Sequence, residues 1–150
     1  MLAGMKLAAL FFGLALACIA AAASAEPIKP DAIGIVDGDT ITVRGLLRHV
    51  RLLGFDTPET GFEARCAAER ALADKATQRL GQIVAGGGLD LRIVPCKCPP
   101  ETIGTLACNR GRYCAFLFAK GRDVAAIMIG EGLARPGPRK RLPHQMSWCN

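Results

Sequence analysis

Hydrophobic and polar residues change their spacing several times along the chain, and each change marks a predicted element. Five short runs rich in β-branched and apolar residues predict five strands, at 33–36, 40–43, 48–55, 89–94 and 113–118. Between the third and fourth runs, apolar residues recur about every fourth position from Phe62 to Val84, which is typical of an amphipathic helix. Asp123 precedes a second, shorter helical segment and can cap it.

This order of elements predicts the fold class. A parallel sheet would need a helix between most of its strands, and only one long helix is predicted. We therefore expect a mainly β protein of the α+β class, a small five-stranded barrel with one long helix and one or two short helices. Neither an internal repeat nor a second domain is visible in the sequence.

The first 25 residues have the pattern of a cleavable export signal. Lys6 is followed by an uninterrupted apolar run that closes with Ala-Ser-Ala at 23–25. Signal peptidase accepts small residues at the first and third positions before its cut. We expect cleavage after Ala25 and a periplasmic or secreted protein with no stable membrane association. The alternatives are an uncleaved membrane span, for which the run is just long enough, and a lipoprotein modified at Cys18.

Cysteine usage agrees with export. The chain has seven cysteines, and removal of Cys18 leaves an even number in the mature protein. An even number in a small exported domain indicates disulfides, although the sequence alone does not define the pairing. A zinc site built from Cys96, Cys98, Cys108 and Cys114 is the alternative, but its first Cys-x-Cys spacing is tighter than that of common zinc sites.

Composition narrows the chemistry further. Of the 150 residues, 19 are Lys or Arg and 13 are Asp or Glu, so the formal net charge is +6. Most of the basic residues are arginines, whose planar guanidinium groups suit phosphate oxygens, and this favours a polyanionic partner. Serine and histidine each occur only twice. The scarcity argues against a Ser-His-Asp hydrolase and against a histidine-rich zinc site.

Acidic residues cluster where two predicted strands end. Asp37 and Asp39 flank a glycine after the first strand, and Asp56 and Glu59 follow the third strand, which contains Arg51. Hard divalent cations such as Ca²⁺ bind carboxylate and carbonyl oxygens, so these segments predict a cation site if the two loops meet. The alternative is structural: a tight Asp-Gly turn, and an acid that caps the following helix.

Four short motifs together carry a family resemblance. They are Asp-Gly-Asp-Thr at 37–40, Arg-Leu-Leu-Gly-Phe-Asp-Thr-Pro-Glu at 51–59, Gly-Arg at 111–112 and Glu-Gly-Leu-Ala at 131–134. Each is weak alone, but in this order they resemble the thermonuclease family, the staphylococcal-nuclease-like domain. The resemblance implies an OB-fold-type barrel over residues 33–134 with a cysteine-containing insertion at 95–109. Residues 26–32 are then a short linker, and residues 135–150 a basic C-terminal tail.

The resemblance also implies an activity, the calcium-dependent hydrolysis of phosphodiester bonds in DNA or RNA. Its implied calcium ligands are the carboxylates of Asp39 and Asp56 and the main-chain carbonyl of Thr57, with Asp37 nearby holding metal-bound water. Its implied catalytic residues are Glu59, which would activate the attacking water, and the arginines that would grip the scissile phosphate, Arg51 and Arg112.

The chain departs from the family where the nucleotide would be held. Asn109 and Arg110 precede the Gly-Arg motif in place of the family's lysine and tyrosine, and no tyrosine follows Gly-Leu-Ala. Tyr113 and Trp148 are candidates for base stacking, with ordinary packing as the alternative. The basic cluster at 139–141 is a candidate contact for distant phosphates or a solvated surface.

Disulfide pairings are expected partly from the resemblance. Related exported sequences carry a cysteine at the start of the first helix and a Trp-Cys near the C-terminus, which implies Cys66–Cys149. The remaining four cysteines bracket a predicted hairpin, which favours Cys96–Cys114 with Cys98–Cys108 nested inside it. Crossed pairings remain open.

Two other functions remain alternatives to an exported calcium-dependent nuclease. The first is a catalytically inactive barrel that binds nucleic acid or another polyanion, and the second is a disulfide-rich structural module. Retention of the acids together with the two arginines favours an enzyme, because binding alone does not require carboxylates in a phosphate site. The sequence indicates no protein partner.

Overall fold

The computed structural model describes residues 27–137 and 147–149. Its strands are β1 (Ile33–Ile35), β2 (Thr40–Val43), β3 (Val50–Leu52), β4 (Phe55–Asp56), β5 (Leu89–Val94), β6 (Tyr113–Ala119), β7 (Arg122–Asp123) and β8 (Arg135–Pro136). Its α-helices are α1 (Ala67–Ala85) and α2 (Val124–Gly130). The predicted signal segment at 1–25 and the basic cluster at 139–141 lie outside the described residues.

The main sheet has the order β1-β2-β3-β6-β5, with β7 paired to the end of β6. Its neighbours are antiparallel except β3 and β6, which run parallel. Before β1, Ile28 forms an isolated bridge with Leu89 of β5, so the chain touches both edges of the curled sheet. The result is a half-barrel with one long and one shorter helix, consistent with an OB-like fold, and the predicted α+β class is confirmed.

Helix α1 covers the sheet with a narrow apolar stripe. Its buried residues include Ala73, Ala76, Leu80 and Val84, and the last three join the core cluster of the sheet. The helix begins at Ala67, five residues later than the apolar spacing predicted. The reason is a cap at Cys66, whose sulfur accepts the N–H of Glu69 at 3.4 Å.

The third predicted strand is divided in two. Gly54 has φ +94°, a left-handed conformation that breaks the extended chain between β3 and β4. After this bend, β4 leaves the main sheet and pairs with β8, with Phe55 opposite Pro136 and Asp56 opposite Arg135. The start of the predicted tail therefore supports the strand that carries Asp56.

Three disulfides are present: Cys66–Cys149, Cys96–Cys114 and Cys98–Cys108. They are the same pairs that the sequence analysis favours, and the insertion cysteines are oxidised to disulfides instead of forming a zinc site. The first disulfide ties the start of α1 to the C-terminal segment. Cys96–Cys114 attaches the insertion to β6, and Cys98–Cys108 closes a loop within the insertion. Disulfides indicate an oxidising, exported environment. Within the described residues, no helix is long and apolar enough to cross a membrane.

Candidate active site

A polar cavity of about 160 Å³ opens where the loops after β1 and β4 meet the segment before β6. It is lined by Asp37, Asp39, Arg51, Asp56, Thr57, Pro58, Glu59, Thr60, Glu63, Arg110 and Arg112. This set includes every metal-binding and catalytic residue that the resemblance implies. Residues that are up to 75 positions apart in the chain therefore share one cavity.

Strand register explains why these segments converge. Thr40 lies opposite Arg51 in the β2–β3 pair, and Arg51 lies beside Cys114 in the β3–β6 pair. The main-chain carbonyl of Asp39 accepts the N–H of Leu52 at 2.8 Å. Because β3 lies between β2 and β6, Arg51 has a neighbouring strand on each side. Asp39, one residue before Thr40, and Arg112, two residues before Cys114, therefore both lie near Arg51.

Asp39 connects the two acidic loops directly. One of its carboxylate oxygens, Oδ2, accepts the N–H of Thr57 at 2.9 Å and the Thr57 hydroxyl at 3.0 Å. This close approach requires glycine at position 38, since a Cβ there would lie 2.8 Å from Thr57 Cγ2 and 2.9 Å from the Cβ of Ala76. Asp37 stabilises the turn by accepting the N–H of Asp39 at 2.9 Å.

The carboxyl group of Asp39 is buried, and its surroundings alter its acidity. Burial raises the pKa of Asp39, and the negative charge of Asp37 raises it further. Arg51 and the hydrogen bonds from Thr57 act in the opposite direction but do not cancel the increase. The charged form of a buried carboxyl group is stabilised by a nearby positive charge. Asp39 is therefore suited to being a ligand of a metal cation.

Arg51 lies between two of the acids. Its side chain, only 15% exposed, forms an ion pair with Asp39 and a second one with Asp56, where Nη2 and Oδ1 are 2.8 Å apart. Its guanidinium also donates to the main-chain carbonyls of Asp39 and Phe55, both at 3.3 Å. The bend at Gly54 makes this possible, because it returns Asp56 to the side of β3 from which Arg51 projects. The guanidinium is thus held in one orientation.

Arg112 is oriented by a residue to which the sequence analysis gave no role. Asn109 accepts twice from the Arg112 guanidinium, through its main-chain carbonyl from Nε at 3.0 Å and through Oδ1 from Nη2 at 3.1 Å. The third contact of the guanidinium is to the Thr40 hydroxyl at 3.2 Å. Burial lowers the pKa of Arg112, and the charge of Arg51 adds to that effect. Asn109 has φ +52°, a conformation that Asn tolerates better than most residues. In the sequence, the available signal was the Asn itself, three residues before Arg112.

Glu59 lines the cavity next to Glu63, a second acid that the sequence analysis did not single out. Partial loss of solvent raises the pKa of Glu59, and the hydrogen bond and charge of Glu63 raise it further. The charges of Asp39 and Asp56 act in the same direction. A carboxylate with a raised pKa is a stronger base than an ordinary glutamate.

The donor set fits a hard divalent cation. Among the described residues, five carboxylates line the cavity against three guanidinium groups, which is an excess of acidic over basic groups. Carboxylate oxygens and the Thr57 carbonyl are the ligand types that Ca²⁺ prefers. In residues 27–137 and 147–149, only one group of three His, Cys, Asp or Glu side chains has its ligand atoms within 4.8 Å of one another. It consists of Cys66, Glu69 and Cys149. Its two sulfurs form a disulfide, so it is not a metal site.

The two aromatic candidates for base stacking lie outside the cavity lining. The Tyr113 ring is covered by the guanidinium of Arg48, 4.3 Å from the ring centroid, and the Trp148 ring by that of Arg135 at 3.7 Å. Arg135 also donates to the carbonyl of Ser147 at 2.8 Å. In the described part of the chain, both rings therefore stack against arginines of the protein.

Comparison with known proteins places the chain near endonucleases. No family model matches it. It is 33% identical over 102 residues to the SPbeta prophage-derived endonuclease YokF of Bacillus subtilis (strain 168), an alignment covering 67% of this chain and 31% of YokF. It is 32% identical over 102 residues to endonuclease YncB of the same organism, covering 67% of this chain and 44% of YncB. The chain thus spans less than half the length of either curated relative and is a distant homologue of both.

Proposed function

We propose that this protein is an exported, calcium-dependent nuclease that hydrolyses phosphodiester bonds of DNA or RNA, with a site of the thermonuclease type. The observation that carries the proposal is the presence of Arg51 and Arg112 in one cavity with Asp39, Asp56 and Glu59. Its distant homology to two proteins named as endonucleases supports the same reaction class. The three disulfides support export.

The two arginines supply the electrostatic part of the reaction. Hydrolysis of a phosphodiester adds negative charge to the phosphoryl oxygens in the transition state. Guanidinium groups that are already oriented stabilise this charge without reorganising. Arg51 is oriented by Asp39 and Asp56, and Arg112 by Asn109. Both groups thus meet the requirement for preorganised donors.

Glu59 is the proposed general base. Its raised pKa lies closer to neutral pH than that of an ordinary glutamate, so it takes a proton from water more readily. The chain is poor in histidine, the more common base, and among the described residues no histidine lines the cavity. A carboxylate base is therefore consistent with both the composition and the site.

Asp39, Asp56 and the carbonyl of Thr57 are the groups that would hold Ca²⁺, with Asp37 beside them. When bound there, the ion would add Lewis-acid stabilisation of charge on the phosphate. The chain's own contribution is to bury Asp39 and to fix Thr57 against it through two hydrogen bonds.

Digestion of single-stranded DNA and of RNA by the mature, oxidised protein tests the proposal. We expect cleavage with Ca²⁺, loss of cleavage with a chelator, and loss in Glu59→Gln and Arg112→Ala. Cleavage by the parent protein that does not exceed that of these variants would overturn the nuclease assignment. Salt-sensitive DNA binding without cleavage would instead support an inactive nucleic-acid-binding barrel.

A further inference from the structure

A second groove, of about 510 Å³, adjoins the active-site cavity. It lies between the β2–β3 loop and the disulfide-bonded insertion. Its lining consists of Leu47, Arg48, His49, Gly104, Thr105, Leu106, Arg110, Gly111 and Arg112. Because Arg110 and Arg112 line both spaces, the groove continues from the active-site cavity. We call it the arginine groove.

The arginine groove and the active-site cavity differ in charge. Among the described residues, the groove lining contains three arginines and one histidine but no Asp or Glu. The neighbouring cavity contains five carboxylates. Among the described residues, a polyanion that extends from the cavity into the arginine groove meets arginines and a histidine but no carboxylate.

Arg48 is held in place while several of its donors stay available. Its guanidinium stacks on the Tyr113 ring, 4.3 Å from the centroid, and Nη1 donates to the carbonyl of Gly111 at 3.1 Å. In the part of the chain that the structure describes, its Nε and Nη2 atoms have no protein acceptor. A stacked guanidinium with free N–H groups is well suited to binding a phosphate through two hydrogen bonds.

The insertion forms one wall of the groove. Gly104 has φ +83°, and a Cβ there would lie 3.2 Å from Nη1 of Arg48, so glycine permits this approach. Leu106 of the insertion is 83% exposed, and Leu47 of the opposite loop is 96% exposed. Large apolar side chains at the edges of a basic groove offer contact surface to the flat faces of nucleobases.

We infer that the arginine groove binds the part of a single-stranded nucleic acid that lies beyond the scissile phosphate. Arg48 binds the next phosphate along the strand, and the two leucines contact the adjacent bases. The inference concerns single strands because the faces of their bases are accessible to side chains. In a duplex, the bases are stacked on one another. This inference rests on the proposed nuclease function. It adds that the bound strand extends from the active-site cavity into the arginine groove.

Binding by a non-cleaving protein tests the inference. In a Glu59→Gln background, fluorescence anisotropy would measure binding of labelled single-stranded oligonucleotides of two to ten nucleotides. We expect Arg48→Ala to weaken binding of the longer strands about tenfold and to reduce the salt dependence by about one phosphate contact. The difference in affinity between the Arg48→Ala variant and its parent should diminish as the strand becomes too short to reach the groove. Leu106→Asn should weaken binding without changing the salt dependence.

Arg92→Ala is the matched control. Arg92 also stacks on an aromatic ring, 4.4 Å from the centroid of Phe118, and it lines neither space. An Arg48→Ala variant that binds long strands like its parent, or an Arg92→Ala variant that loses as much affinity, would overturn the inference. An equal loss with duplex DNA would overturn the preference for single strands. Because the assay measures binding only, its outcome is separate from whether the parent cleaves.

Discussion

The carboxylate of Glu69 accepts the main-chain N–H of Glu59 at 3.5 Å. Glu69 is completely buried in the first turn of α1, and its other oxygen accepts the N–H of Arg65 at 2.9 Å. The segment that carries Glu59 and Glu63 is therefore fixed to the helix at both ends. The adjacent Cys66–Cys149 disulfide closes the same region covalently.

Glu69 is expected to be a positioning residue for the proposed base. Glu69→Gln keeps one acceptor oxygen but replaces the other with an N–H donor that faces main-chain N–H groups. We expect kcat on single-stranded DNA to fall at least about tenfold with little change in KM, because Glu59 is displaced while the phosphate contacts remain. Faster hydrogen exchange of the Glu59 and Arg65 amides should accompany the loss. Unchanged exchange together with unchanged kcat would contradict this role.

The same residue should make stability depend on pH. Burial alone would raise the pKa of Glu69, but hydrogen bonds from Arg65 and Glu59 and the charge of Arg65 place it below the ordinary glutamate value of 4.5. The folded state thus prefers the carboxylate. Its stabilising contribution is fully present above pH 4.5 and is lost as the pH falls through the lowered value. The difference in urea unfolding between the parent and Glu69→Gln should be largest above pH 4.5 and should shrink as the pH falls through the lowered pKa of Glu69. A constant difference would refute the prediction.

The Cys66–Cys149 and Cys98–Cys108 disulfides close loops of different length, so they should contribute differently to the free energy of unfolding. Cys66–Cys149 closes a loop of 83 residues, and Cys98–Cys108 closes one of 10. Loop-closure entropy predicts a loss of about 4.5 kcal/mol when both cysteines of the long loop become serine, against about 2.7 kcal/mol for the short loop. Urea unfolding without reductant measures both. A larger loss for the short loop would show that chain entropy does not dominate.

Arg112 should not be replaceable by lysine. A lysine at this position retains the charge but cannot make the paired contacts of the guanidinium with Asn109 and Thr40. We expect Arg112→Lys to reduce kcat about 10²–10³-fold, similar to the loss of one preorganised donor. Arg92→Lys, at the exposed arginine that pairs with Asp90, provides the control and should retain activity. Near-parental kcat in Arg112→Lys would mean that charge alone is sufficient.

Several features were readable from the sequence because they depend on neighbouring residues. The strands at Thr40–Val43 and Leu89–Val94 match their predicted bounds, since β-branched runs with turn residues on both sides express a local preference. The even number of cysteines and the order of the acidic and arginine motifs were equally visible. The five-stranded α+β class followed from the order of the predicted strands and helices.

What the tertiary structure decided concerns residues that are distant in the chain. Asp39 accepts the N–H of Thr57, 18 residues away, and Arg112 donates to the hydroxyl of Thr40, 72 residues away. Asn109 and Glu69 acquire their positions only when separate segments pack together. Local propensity acts over a few residues, whereas a site depends on strand register and on burial of charge against partners elsewhere. Sequence therefore indicated which chemical groups are present, and packing alone placed them within reach of one another.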